Sequence, residues 1–349
     1  MSLQARSCPI EQITLPADLE ERTNVQFDEM VRKGRIFYDQ QLEPGEILVD
    51  NGFTIEYRTV SILKGKPILA PDDPGRSKTP TPESTRASTP VVTSSTVSSV
   101  TQSPLSPTLT PSPKPTVKGP FVNPKPDEIV YENIGSQHRL MLNKFCLYRP
   151  MLVLPTKEFA LQSDDLDASD IAAAWALLHS YNSFEPLVMY NRGVNGGSSQ
   201  GHKHLQLFPV PPLAPFYGKA ENVWPSKATS TTEVADKIPH VPFKHFVLRI
   251  PPRASAQTVV DMHDRLLHLT RMAHVEAGHD ADGDYNVAMT KDWIALIPRT
   301  TVGPADGPFG TSTVGMLGMP GLRDEQDREK WRNLGDSKFL ATLGIPQSD

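Results

Sequence analysis

Cysteine is scarce: only Cys8 and Cys146 occur in 349 residues, and no CxxC pair is present. That excludes a disulfide scaffold and the cysteine-rich zinc modules. Long apolar runs are also missing. Nowhere do about 18 apolar residues follow one another, so no membrane span is expected. The first segment, MSLQARSCPIEQITLPADLEE, has no apolar h-region, so a secretory signal is not expected either. Nor is there a basic surplus: 35 Lys and Arg stand against 40 Asp and Glu, for a net charge of −5. Chains that live on nucleic-acid phosphates or anionic membranes usually carry such a surplus, so neither is expected as a partner. These absences together point to a soluble protein of the reducing cytoplasm or nucleus.

Proline, by contrast, is plentiful at 34 residues, about twice ordinary usage. From Ser77 to Lys118, 28 of 42 residues are Ser, Thr or Pro and none is aromatic. Such a stretch cannot bury enough apolar surface to offset its ordering entropy, and is read as a disordered insert over 75–118. Its Ser-Pro and Thr-Pro steps (Thr79-Pro80, Thr81-Pro82, Ser103-Pro104, Ser106-Pro107) suit proline-directed phosphorylation. A tolerated surface-loop expansion fits equally.

Around the insert the chain divides into an N-terminal part (1–74), a motif-bearing half (119–215), a loop (216–238) and a C-terminal half (239–349). A helix is expected at Asp18–Lys33 and strands within Ile47–Leu63. His138–Tyr148 and Met151–Leu154 read as adjacent strands, and Asp167–Tyr181 as a helix with Asp167 or Ser169 as N-cap. Leu187–Asn191 and His202–Phe208 read as strands flanking a glycine-rich turn. Beyond the loop follow a strand (His245–Ile250), a helix (Ser255–Glu276) and paired strands (Tyr285–Thr290, Trp293–Pro298). This alternation suggests an α/β or α+β sheet with helices on one side. A further helix is expected near Glu325–Asn333.

One stretch carries the chemistry: Tyr190-Asn191-Arg192-Gly193 through Gly196-Gly197-Ser198-Ser199-Gln200-Gly201-His202-Lys203-His204-Leu205-Gln206. On a strand, period 2 puts His202, His204 and Gln206 on one face and Lys203 and Leu205 on the other. Two imidazoles and an amide are costly to bury without partners. The small-residue turn can bring backbone N–H groups close to an anion, as a phosphate cradle does. It is neither a Walker A loop nor a GxGxxG motif. A neutral imidazole is a competent nucleophile near pH 7, and attack on phosphorus would divide a transfer into two steps. Two other readings fit the same pattern: a His-x-His metal site lacking its further ligands, and a hydrogen-bonded structural pair.

The run Gly-Ser-Ser-Gln-x-His-Lys-His-Leu-Gln resembles the signature of the fungal diadenosine tetraphosphate phosphorylases (ATP adenylyltransferases). That family lies in the histidine triad superfamily, on the branch of galactose-1-phosphate uridylyltransferase. Further blocks resemble it: Asn143-Lys144-Phe145, Thr156-Lys157-Glu158-Phe159, Pro242-Phe243-Lys244, Tyr285-Asn286 with Asp292-Trp293, and Pro298-Arg299. The resemblance covers 119–300 and, more weakly, the folded part of 1–74. It implies an α+β, histidine-triad-like fold of two related halves, with an antiparallel sheet and flanking helices.

The implied reaction is reversible phosphorolysis of diadenosine tetraphosphate to ATP and ADP through an AMP-histidine on His204. His202 would support the ring. Gln206 would stand where the hydrolases of the superfamily carry a third histidine. Substrate contacts are implied for Lys66, Asn143, Lys144, Asn191, Gly197, Ser198, Ser199, Gln200, Gln206, Ser312, Thr313, Met319 and Arg323. The partners would be diadenosine tetraphosphate, ATP, ADP and phosphate. A divalent cation, Mg²⁺ in kind, would bridge substrate phosphates with no metal site in the protein, no organic cofactor would be needed, and the chain would act as a monomer. An ADP sulfurylase side reaction is left open.

Three positions depart from the pattern. Ser312 stands where the family shows Asn ahead of a Gly-Met strand, Arg323 where it shows Lys, and Met151 where a His is expected. Two alternatives therefore remain: a nucleotide-conjugate hydrolase, which Gln206 argues against, and a weakly catalytic nucleotide-binding regulator.

Overall fold

The computed structural model describes residues 10–38, 45–65, 119–210, 223–304 and 310–348. Lys66, the 75–118 insert and part of the 216–238 loop lie outside them. The first helix, α1 (Leu19–Arg32), buries Leu19, Thr23, Phe27 and Met30 at helical spacing. A two-residue strand, β1 (Phe37–Tyr38), precedes a hairpin of β2 (Glu46–Asp50) and β3 (Phe53–Thr59). Asn51 and Gly52 join the hairpin, both at positive φ (51° and 80°), as a two-residue turn of this twist requires. The strand run expected to reach Leu63 ends at Thr59, and Ser61–Gly65 turns as a 3₁₀ helix.

Strands β4 (Ile129–Ile134), β5 (His138–Leu142) and β6 (Phe145–Cys146) follow. Strand β4 was not visible in the sequence, because its polar Glu132-Asn133 blurs the alternation. The single strand expected over His138–Tyr148 is instead broken. The Asn143 Oδ1 accepts the Phe145 N–H (3.1 Å), turning the chain so that β6 pairs with β1.

After β7 (Leu152–Pro155) comes α2 (Ala168–Ser180). Its cap is reciprocal: the Asp167 carboxylate accepts from Ser169 N (2.7 Å) and Asp170 N (3.1 Å), while Asp170 accepts from Asp167 N (2.9 Å). Then follow β8 (Pro186–Asn191), β9 (His204–Pro209), β10 (Phe246–Arg249), α3 (Ala256–Glu276), β11 (Tyr285–Met289) and β12 (Trp293–Pro298). The chain ends with α4 (Thr313–Met316), β13 (Gly321–Leu322), α5 (Glu325–Leu334) and α6 (Asp336–Leu343).

Eight strands form one antiparallel sheet in the order β10-β12-β11-β8-β9-β7-β5-β4. The fold is α+β. The β8–β11 ladder joins a half carrying α2 to a half carrying α3, with Asn191 opposite Asn286. Lys203 Nζ reaches Asp170 of α2 (2.5 Å), so α2 covers the face opposite His204, and α3 packs beside it on β10 and β12. The C-terminal tail is locked down. Arg328 pairs with Glu46 (2.7 Å) and Asp336 (2.8 Å) and lies 3.9 Å over the Tyr57 ring, while Trp331 is buried against Tyr57. Helix α6 was not foreseen. No described helix is long and apolar enough to cross a membrane.

Candidate active site

The β8–β9 ladder runs from Pro186–Pro209 to Met189–Gln206 and then opens into the glycine-rich turn. Two glycines make that turn possible. At Gly193 (φ +64°) a Cβ would lie 2.0 Å from Asp284 Oδ1, and at Gly197 (φ +86°) 2.6 Å from the Thr311 carbonyl oxygen. Asp284 also accepts the Asn195 N–H (2.9 Å). Behind the turn Arg192 is buried between Asp165 (3.1 Å) and Asp282 (2.6 Å) and lies 5.5 Å from the Tyr285 ring centre.

His204 opens β9. Its Nδ1 lies 2.8 Å from the His202 carbonyl oxygen. A carbonyl only accepts, so Nδ1 carries the proton and the lone pair of the neutral ring sits on Nε2. The ring packs at 4.9 Å on Phe121. Gln162 holds the backbone: its Oε1 accepts the His204 N–H (2.7 Å), and its Nε2 donates to the carbonyls of Asn191 (2.9 Å) and His204 (3.2 Å).

His202 sits just outside β9. Its Nε2 donates to the carbonyls of Thr156 (2.9 Å) and Glu158 (3.2 Å), and Thr156 Oγ1 lies 3.0 Å away. Burial holds its pKa below the usual histidine range. His202 therefore braces the segment from behind and lines no part of the cavity.

The cavity has two lobes that share His204, Gln206 and Ser199. One, about 280 Å³, is walled by Tyr148, Met151, Asn191, Gly197, Ser198, Ser312, Met319 and Arg323. The other, about 380 Å³, is walled by Arg35, Phe121, Met141, Asn143, Lys144 and Gln200. Gln206 makes no side-chain hydrogen bond among the described residues, so its amide is available to a ligand. Asn191 is anchored: its Oδ1 accepts from Thr313 N (2.9 Å), Thr313 Oγ1 (2.7 Å) and Asn286 Nδ2 (3.0 Å). Any bond from this amide to a ligand comes from Nδ2. Thr313 is thus a support behind Asn191 and not part of the wall.

Arg323 reaches the wall while gripped by both oxygens of Asp327 (2.7 Å each). Lys144 Nζ lies 5.6 Å from the Phe37 ring centre. Residues 313–316 fold as a short helix where the resembling pattern runs into a strand. Met151 puts a thioether on the wall. Among the described residues, no group of three or more His, Cys, Asp or Glu is placed to hold a metal ion.

The contiguous motif is legible in the sequence, whereas Gln162, Phe121, Tyr148 and Arg35 are not. Each comes from a segment without a signature, and only the folding of distant chain onto β9 brings them in.

Known proteins share this architecture. Residues 105–220 match the Ap4A phosphorylase N-terminal domain, and residues 239–346 the ATP adenylyltransferase C-terminal domain. Diadenosine 5',5'''-P1,P4-tetraphosphate phosphorylase 2 of Saccharomyces cerevisiae is 30% identical over 246 residues, covering 65% of this chain and 75% of the yeast protein. Protein APA1 of the same yeast is 27% identical over 227 residues, covering 59% and 68%. The crystal structure of yeast Ap4A phosphorylase Apa2 in complex with Ap4A matches the fold with a TM-score of 0.67 at 22% identity, over 97% of this chain and 100% of that one.

Proposed function

The chain belongs to the Ap4A phosphorylase family, and from that premise we propose that it catalyses the reversible phosphorolysis of diadenosine tetraphosphate by nucleotidyl transfer through His204. The observation that carries this is the place of His204: with its lone pair on Nε2, it stands where the two lobes of the cavity meet. A substrate with a nucleoside at each end of a polyphosphate needs such a pair of lobes flanking the reacting phosphorus.

Nε2 attacks the α-phosphorus. The N–P bond forms, the bond from that phosphorus to its bridging oxygen breaks, and ATP leaves with the electron pair. The ring, now cationic, keeps its Nδ1–H on the His202 carbonyl, which stabilises the developing charge. Inorganic phosphate then attacks the same phosphorus. The N–P bond breaks, ADP departs, and the proton of the hydrogen phosphate passes to solvent. The departing ATP and the attacking phosphate are both anions already and the second leaving group is the imidazole itself, so Gln206, which has no titrating proton to give, suffices as a donor to a non-bridging oxygen. Asn191 Nδ2 and the Gly197–Gln200 turn supply further donors. Mg²⁺ would arrive on the polyphosphate and offset its charge.

The test is intact-protein mass spectrometry after brief incubation with diadenosine tetraphosphate in phosphate-free buffer, comparing wild type with His204→Ala. The expected result is an AMP adduct on wild type alone, discharged as ADP when phosphate is added. AMP accumulating without an adduct would point to hydrolysis. Neither adduct nor product would leave a nucleotide-binding regulator.

A further inference from the structure

We infer that Gln162 is a positioning residue for this transfer: its buried amide, and not the β-ladder, sets how His204 and Asn191 stand relative to each other. The inference rests on the nucleotidyl-transfer reading.

The register shows why. Strands β8 and β9 pair Pro186 with Pro209 and Met189 with Gln206. Continued by two residues, the ladder would put Asn191 directly opposite His204. That pair never forms. Asn191 pairs outward with Asn286 of β11, and His204 with Pro155 of β7. In the gap stands the Gln162 side chain, 2% exposed. It accepts the His204 N–H with Oε1 and donates to the Asn191 carbonyl with Nε2. The primary amide thus does what a peptide group of an intervening strand would do.

In a continuous antiparallel ladder the Cα atoms of such a pair stand about 4.5–5.5 Å apart. With a side chain inserted, the imidazole and the Asn191 amide are held apart and both face the cavity. The main chain of Gln162 grips the glycine-rich turn at both ends. Its N–H donates to the Gly201 carbonyl (2.8 Å), and its carbonyl accepts from Gly193 N (3.1 Å) and from the Tyr190 hydroxyl (2.8 Å). One residue therefore fixes the first and last glycine of the turn, the nucleophile and the neighbouring donor.

Gln162→Glu tests this with little change of shape. One carboxylate oxygen can still accept the His204 N–H. The other then faces the two carbonyls where Nε2 donated, a repulsion that protonation relieves. The site is buried among acceptors, so the introduced carboxyl titrates above its usual range. The variant is competent when protonated and impaired as pH rises through that pKa. AMP-adduct formation from diadenosine tetraphosphate, followed by mass at pH 5.5 and at pH 8, should be about a hundredfold slower than wild type at pH 8. Much of the deficit should be recovered at pH 5.5.

Gln162→Met, which fills the space and makes none of the bonds, should be slow at both pH values. All three proteins are compared at a temperature where circular dichroism shows them folded. An adduct rate in Gln162→Glu equal to wild type at pH 8, or a deficit shared equally at both pH values, overturns the inference. So does a Gln162→Met protein that forms the adduct at the wild-type rate. Absence of the adduct in wild type itself would instead overturn the nucleotidyl-transfer reading.

Discussion

Asn191 and Asn286 are partners twice over: they face each other across the β8–β11 ladder, and the Asn286 side chain donates to Asn191 Oδ1 (3.0 Å). The relationship extends in both directions. Asn286 Oδ1 accepts from Arg299 (2.6 Å), whose guanidinium is buried and, desolvated, has its pKa lowered to about 9. It still carries its charge at neutral pH. Arg299 also donates to the Thr311 carbonyl (3.0 Å), in the segment that closes the cavity over Asn191. A buried charge, two amides and the cavity wall form one hydrogen-bonded chain across the seam between the halves.

Truncating its middle should be felt at both ends. Asn286→Ala leaves a buried charged donor short of an acceptor, at a cost of about 1–3 kcal/mol, and removes one of the three donors that hold the Asn191 amide, leaving the two from Thr313. Urea unfolding and KM for diadenosine tetraphosphate are both expected to worsen. Asn286→Asp separates the two effects, because a carboxylate satisfies Arg299 but cannot donate to Asn191. It should keep most of the stability and still raise KM. Equal KM values for the aspartate variant and wild type would show that the two Thr313 donors hold Asn191 without Asn286.

Gly197 carries two independent demands, a left-handed backbone and close approach to residues 311–312. Gly197→Ala incurs about 1–2 kcal/mol for the φ alone and places a methyl 2.6 Å from the Thr311 carbonyl oxygen and 2.8 Å from Ser312 Cα. The wall must retreat, and KM should rise by about tenfold or more while the AMP adduct still forms. Gly278→Ala is the control: its φ is also positive (+79°), but nothing lies within 4 Å. It should lose stability alone, with KM unchanged.

What the sequence revealed follows from how far its causes reach along the chain. Asp167 was legible as one of two N-cap candidates, with Ser169, because the carboxylate and the two N–H groups it accepts from lie within three residues. The alternation of His202, His204 and Gln206 was legible as well, yet only the last two belong to β9. His202 is drawn aside by the Thr156 and Glu158 carbonyls, a contact 46 residues distant for Thr156. Gln162 sits just past the Thr156–Phe159 block, in Ala160-Leu161-Gln162-Ser163, which has no period and no motif. Its role exists only because the β8–β9 ladder stops short, and no local pattern announces where a ladder stops. The acidic and basic residues of the tail read as a charged segment, helical near Glu325–Asn333, with no role assigned. In the fold Arg328 is buried over Tyr57, pairing chain ends far apart in sequence.

Gln206 lines both lobes and has no proton to relay. Gln206→His places an imidazole beside the phosphorus, able to take a proton from an attacking water. The wild-type adduct should be long-lived in phosphate-free buffer. The variant should release AMP faster, by up to about a hundredfold, and lose part of its selectivity for phosphate as acceptor. Chromatography of the nucleotides with and without phosphate gives the ratio of AMP to ADP. An unchanged ratio would mean that water is excluded by something other than this side chain.

Away from the site, His245 sets a pH limit on the fold. It is fully buried, its Nε2 accepts the Ile238 N–H (2.9 Å), its Nδ1–H donates to the Phe243 carbonyl (2.8 Å), and Trp224 packs at 4.9 Å. Burial lowers its pKa to about 4, since protonation would break the bond from Ile238 and charge an apolar site. In the unfolded chain the same ring titrates near 6.5. Above that pH neither state holds the proton and the full stability is present. Between about 6.5 and 4 only the unfolded state binds it, so stability falls as pH falls, by about 3 kcal/mol over the window. His245→Gln can keep both hydrogen bonds without titrating. Urea unfolding at pH 7, 6, 5 and 4.5 should show a shallower loss for the variant than for wild type. The slope should not vanish, because burial lowers the pKa of His202 and His274 in the same direction. Parallel curves for the two proteins would mean that His245 takes up its proton without unfolding the structure around it.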